Sequence, residues 1–205
     1  MPVVVVANPK GGVGKSTLST QIAGYFAGQN HRVMLGDADR QQSSRLWLSL
    51  RPDNAPPISS WELGEDQIAK PPKGTTHLVL DTPAGLHGKR LKEILRRAHK
   101  VVVPLQPSVF DIFATQDFLN ELAASARAAK IDVGIVGMRV DERTRAAEQL
   151  HRFVETTGLP VLGYVRDTQN YVQLAARGLT VFDLAPERVA RDLVQWQAIC
   201  RWLDR

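Results

Sequence analysis

A chain of 205 residues, 43% of them hydrophobic, is long enough to bury one sizeable core, and residues 1–205 are expected to form a single domain. Its one cysteine, Cys200, excludes an intramolecular disulfide and the paired thiolates of a zinc or iron–sulfur site, which points to a reducing, cytoplasmic setting. The net charge of +5 and the sequence pI of about 9.6 suit either an acidic partner, such as nucleic acid or an anionic membrane, or a generally basic surface.

The first element is the apolar run Val3 to Ala7, which lacks a preceding basic segment and is too short for a signal-peptide core. It predicts a strand. Immediately after it, Lys10-Gly11-Gly12-Val13-Gly14-Lys15-Ser16-Thr17 opens an amphipathic segment predicted as a helix over Ser16 to Ala27. This strand, glycine-rich loop and helix are the context of a phosphate-binding loop. Glycines 11, 12 and 14 let the backbone curl so that its N–H groups converge on phosphate oxygens, and the helix dipole adds to the attraction. Lys15 is placed to neutralise the β- and γ-phosphates, Ser16 to ligate Mg²⁺ and Thr17 to bond the α-phosphate. Pro9 stands where the usual pattern has its first glycine. Lys10 is not needed to hold phosphate in an ordinary loop of this kind; its side chain is expected to point outward, towards the nucleotide of a facing second subunit.

The second predicted strand, Arg32 to Asp37, runs into Asp37-Ala38-Asp39-Arg40-Gln41-Gln42. Two carboxylates at a strand end can position water and magnesium, or they can serve a turn and helix cap; their place after the phosphate loop favours the first reading. Arg51 to Pro57 and Lys70 to Gly74 read as loops by their proline, glycine and polar content. The third strand, His77 to Asp81, delivers Asp81 at its carboxyl end as a Walker B residue, facing the same crevice as Ser16, and Gly85 follows as a γ-phosphate sensor.

Further strands are predicted over Val101 to Leu105, Val133 to Met138 and Val161 to Val165, and further helices over Lys89 to Ala98, Asp111 to Ala128, Arg143 to Thr156, Tyr171 to Ala176 and Pro186 to Leu203. Most strands are continuously apolar, which calls for helices on both sheet faces and hence for an α/β, mostly parallel, doubly wound P-loop fold. No stretch approaches the roughly 20 apolar residues needed to cross a bilayer.

Together, the Lys10 to Thr17 loop, Asp37-Ala38-Asp39-Arg40-Gln41 and Leu80-Asp81-Thr82-Pro83 resemble the ParA/MinD family of deviant Walker A ATPases. Val103 to Ser108 with Asp111, and Tyr171 to Asp183, look like segments of its short, ParF-like partition members, as does the start of the chain at the catalytic domain. The resemblance implies an ATP-dependent homodimer that sandwiches two nucleotides. Lys10 would cross the interface, Lys15 and Ser16 hold Mg-ATP, Asp39 place the attacking water, and Asp37 and Asp81 complete the shell of Mg²⁺. Arg40 replaces the proline of the family's DxDPQ pattern. The family's adenine pocket falls on Met138, Arg139 and Asp167, and no guanine-reading Asn-Lys-x-Asp motif is present. By the same resemblance the dimer binds DNA non-specifically on the nucleoid, and a ParB-like protein on the cargo stimulates slow hydrolysis. The cargo is a plasmid or chromosome, or alternatively a protein body such as a carboxysome or chemoreceptor cluster.

A MinD-like membrane switch would need a cationic amphipathic C-terminal helix. Val189, Leu193, Trp196, Cys200 and Leu203 do share one face, but Asp192 and Asp204 interrupt the basic side, so docking on the core and no stable membrane association are expected. An iron–sulfur carrier lacks its cysteines, the scattered Tyr25, Tyr164 and Tyr171 do not suit a tyrosine kinase, and a dethiobiotin-synthetase-like enzyme leaves Lys10 without a task. Candidate DNA contacts are Lys89, Lys92, Arg96 and Lys100 on one helical face, and Arg166, Arg177, Arg188, Arg191 and Arg201 in the last third.

Overall fold

Four consecutive valines form β1 (Val3–Val6), and none of them sees solvent appreciably. Val3 and Val5 point into one hydrophobic cluster while Val4 and Val6 point into another, because successive side chains of a strand face opposite ways. That division is the reason for the unbroken apolar run: both faces of the sheet are covered. The computed structural model describes residues 1–61 and 71–205, with the side chains of residues 109–114 excepted.

Chain order continues with α1 (Lys15–Gly28), β2 (Val33–Asp37), α2 (Ser43–Ser49), β3 (Ile58–Trp61), β4 (His77–Asp81), α3 (Gly88–Leu95), β5 (Lys100–Leu105), α4 (Val109–Ala129), β6 (Asp132–Val140), α5 (Arg145–Thr156), β7 (Val161–Arg166), α6 (Gln169–Ala175) and α7 (Ala190–Leu203). The strands pair in parallel in the order β3-β2-β4-β1-β5-β6-β7, so the chain winds outward from β1 in both directions. One face carries Leu91 and Ile94 of α3, Leu119 and Leu122 of α4 and Leu150 of α5. The other carries Leu18, Ile22 and Phe26 of α1, Trp47 of α2, and Trp196 and Ile199 of α7. The expected doubly wound sheet is the observed one.

Two elements depart from the sequence expectation. β3 follows directly on Pro56-Pro57, and α2 occupies the stretch after Gln42. As an edge strand β3 buries only Trp61 fully, so Ser59 and Ser60 leave no apolar run to read. α5 begins at Arg145 rather than Arg143, because the Thr144 hydroxyl caps it by accepting from the Ala147 N–H at 3.2 Å. A short 3₁₀ turn at Pro186–Arg188 precedes α7. Lys100 is not on the basic helical face at all: it lies buried in β5, and its ammonium donates to the Trp202 and Leu203 carbonyls at 2.7 and 2.6 Å, closing the end of α7. Arg166 is likewise engaged, in a two-pronged pair with the buried carboxylate of Asp192 at 2.8 and 3.2 Å. Lys70, and the side chain of Asp111, lie outside the described residues.

Candidate nucleotide site

The carboxyl ends of β1, β2 and β4 meet at one end of the sheet, and the three acidic or glycine-rich motifs leave from there. Between β1 and α1 the chain turns through Gly12 and Gly14 at φ of +76° and +96°, conformations that L side chains rarely adopt. Gly14 has a second constraint, since a Cβ there would meet the Met138 side chain at 3.1 Å. Met138 therefore lies against the loop. Arg139 and Asp167 sit exposed at the ends of β6 and β7, Arg139 in a left-handed conformation at a register shift of β6, and among the described residues no hydrogen bond joins either to the loop.

Asn8 sets the shape of the loop. It is fully buried, its Nδ2 donates to the Pro104 carbonyl at 2.8 Å, and its Oδ1 accepts the Lys10 N–H at 2.8 Å. Gln106 Nε2 donates to the Gly12 carbonyl at 2.9 Å, and the Gly85 N–H donates to the Pro9 carbonyl at 2.7 Å. The sequence motifs do not reveal these anchors. Asn8 differs from an ordinary loop residue only in being polar at the end of a wholly apolar strand.

Lys15 opens α1 with its ammonium donating to the Lys10 carbonyl at 2.6 Å. Burial lowers its pKa, and the nearby carboxylates of Asp81 and Asp39 act against that shift. The site thus gathers Lys15, Asp39 and Asp81, as the motifs imply. Val13 is buried, Gly11 and Gly12 are exposed, and Lys10, Ser16 and Thr17 are half-buried at the loop.

Asp81 is 1% exposed, and burial pushes its carboxyl up to about 6, against the Ser44 hydrogen bond and the Lys15 charge, which favour the charged form. The Ser44 hydroxyl donates to its Oδ2 at 2.7 Å, whereas its Oδ1 is buried with no hydrogen-bond partner. A buried carboxylate oxygen without a partner, beside the Ser16 hydroxyl, is a hard oxygen donor set that fits Mg²⁺. Asp37 is employed differently. Its Oδ1 accepts the Asp39 N–H at 2.9 Å and its Oδ2 accepts the Ser44 and Arg45 N–H groups at 2.8 and 3.2 Å, so it orders the loop and caps α2 from a distance. Asp39 Oδ1 accepts the Gln41 N–H at 3.1 Å, a local turn in which Arg40 stands exposed.

α7 docks on the core through Val189, Trp196, Ile199 and Leu203, all under 4% exposed. Among the described residues no helix is long and apolar enough to cross a membrane, and no His, Cys, Asp and Glu cluster of metal-binding form occurs.

Residues 4–181 match the family of CobQ/CobB/MinD/ParA nucleotide binding domains. Over 196 residues the chain is 27% identical to maintenance of carboxysome distribution protein A of Halothiobacillus neapolitanus, covering 88% of this chain and 87% of that protein. It is 28% identical over 155 residues to the protein ParA of Rhizobium radiobacter, covering 72% and 69%. Among solved structures, the cell division protein MinD of Aquifex aeolicus superposes with a TM-score of 0.76 at 17% identity, over 99% of this chain and 96% of that one.

Proposed function

Because the chain belongs to the CobQ/CobB/MinD/ParA family of nucleotide-binding domains, we propose that it is a positioning ATPase whose ATP-bound protomers pair face to face across their nucleotides. The observation that carries the reading is the partnerless Oδ1 of Asp81, held beside Ser16 and Lys15 at the mouth of a glycine loop. Backbone N–H groups of Gly11 to Thr17 bind the phosphates, Lys15 exchanges the Lys10 carbonyl for phosphate oxygens, and Ser16 and Asp81 hold Mg²⁺. Bound there, Mg²⁺ supplies charge neutralisation at the phosphates. Asp37 shapes the shell through the backbone bonds it accepts, and Asp39 orients the attacking water. Met138, packed on Gly14, and the exposed Arg139 and Asp167 border the base.

Lys10 acts on the nucleotide of the opposite subunit. Its backbone N–H is held by the buried Asn8, a bond that ATP binding leaves in place, so the loop presents the side chain in a defined direction. The dimer binds DNA non-specifically, which places it on the nucleoid, and a cargo-borne, ParB-like protein stimulates slow hydrolysis and release. The cargo is a plasmid or chromosome. A protein cargo is the second reading, favoured by the similarity to a carboxysome distribution protein over 88% of the chain.

Sedimentation velocity tests the pairing. With a non-hydrolysable ATP analogue and Mg²⁺ the species should double in mass, and with ADP it should not; an unchanged mass in both would contradict the reading.

A further inference from the structure

Residues 88–97 set five cations, Lys89, Arg90, Lys92, Arg96 and Arg97, against the single carboxylate of Glu93, whereas the whole chain sets 26 against 21. Almost the entire net charge of the protein is therefore concentrated in this short segment. All five are exposed, and the opposite face of α3 is closed, with Leu91, Ile94 and Leu95 at 0%, 5% and 3% exposure in the core. Lys89, Lys92 and Arg96 follow one another at three- and four-residue steps, which puts them on one face over about 10 Å of helix. Beyond the end of α3, Arg96, Arg97 and the exposed Lys130 line one concavity of about 1040 Å³, shared with Lys100 and Arg205 and with the carboxylates of Asp132 and Asp204.

The helix is also tied to the nucleotide loops. Gly85, three residues before α3, donates to Pro9, and Arg90 reaches the Ala38 carbonyl at 3.4 Å, between Asp37 and Asp39. These two contacts join the segment that carries the basic face to the nucleotide loops.

We propose that the outer face of α3, continued by Lys130, is the surface on which this protein holds the phosphate backbone of duplex DNA. The proposal rests on the DNA-binding reading above and gives it a location. A ladder of cations on a fixed helix suits a repeating line of phosphates, and contacts to phosphate carry no sequence information. An anionic membrane suits it less. A helix that binds an interface lays its apolar face among the lipids, and here that face is occupied by the core.

The test uses the full chain with the double substitution Lys92→Glu/Arg96→Glu, and Arg188→Glu/Arg191→Glu in the C-terminal third as the comparison. Anisotropy of a labelled random-sequence duplex is followed over a range of salt with ATP and Mg²⁺, and ATP affinity is measured in parallel. The α3 variant should lose about tenfold or more in DNA affinity and about two units of salt slope, with ATP affinity unchanged, while the C-terminal variant changes little. Wild-type DNA binding by the α3 variant, or an equal loss in the C-terminal variant, would overturn the location. A wild-type protein that fails to bind DNA would instead remove the reading on which the location rests. Vesicles of phosphatidylglycerol bound as tightly as DNA, and lost in the same α3 variant, would reassign the surface to a membrane.

Discussion

Replacing Asn8 by alanine should damage the fold and the phosphate loop together, because one buried amide serves two backbone groups. The substitution leaves the Lys10 N–H and the Pro104 carbonyl without the partners they hold at 2.8 Å on either side of that amide. A buried polar group deprived of its bond costs about 1–3 kcal/mol. Lys10 is half-buried and water offsets part of its loss, whereas Pro104 lies within a wholly buried strand. Together the two should cost about 2–4 kcal/mol, a large part of a typical folding stability of about 5–15 kcal/mol. Urea denaturation of the nucleotide-free protein measures this directly, and a difference within about 0.5 kcal/mol of wild type would refute the argument. The Lys10 carbonyl that receives Lys15 moves with the loop, so ATP affinity should fall as well. Asn8→Asp should be worse than Asn8→Ala, since it keeps the acceptor for Lys10 but buries a charge and sets it against the Pro104 carbonyl.

Three further outcomes follow from the same geometry. Asp81 has a carboxyl raised from 3.8 to about 6 by burial, so its contribution to stability is fully present below about pH 4 and is lost as the pH rises through 6. Asp81→Asn should accordingly be more stable than wild type above pH 6, by on the order of 2 kcal/mol without nucleotide or Mg²⁺, with the gain vanishing near pH 4 in thermal melts; a difference independent of pH would contradict the assigned burial. Ser44→Ala removes the donor on Asp81 Oδ2 and should destabilise the protein by about 1.5–3 kcal/mol at neutral pH, read by urea denaturation. Lys15→Ala should abolish ATP binding in calorimetry, and wild-type affinity would show that the loop is not the phosphate site.

Much of this architecture is legible in the residues. The unbroken valines of β1 and β5 announce a sheet covered on both faces, and the motifs place Lys15, Asp39 and Asp81 at one end of it. What stays hidden depends on tertiary partners. β3 is held by pairing with β2 and buries only Trp61 fully, so its sequence carries no strand periodicity. Lys100 follows a basic helix and reads as its continuation until the sheet takes it inside and the carbonyl end of α7 accepts its charge. Arg166 resembles any exposed cation until Asp192, whose place on an amphipathic helix suggests solvent, is found buried against it. The bond of Asn8 to Pro104 and the bond of Ser44 to Asp81 belong to the same class, since each depends on a residue more than 30 positions away.

Two nucleotides shared between two subunits are the core of the proposed cycle, and that sharing is measured most directly by mixing two inactive chains. Lys10→Ala leaves each subunit its own Asp39, while Asp39→Ala leaves each subunit its own Lys10. Alone, each variant should bind ATP and hydrolyse it far more slowly than wild type, because charge beside the transferring phosphoryl group and placement of the water are both needed. In a mixed dimer the Lys10→Ala subunit keeps Asp39 and receives Lys10 from its neighbour, so one of the two sites is complete. An equal mixture should therefore recover on the order of a quarter of wild-type ATPase activity, since random pairing makes half of the dimers mixed. Activity no higher than the mean of the two separate variants would contradict a role for Lys10 across the interface.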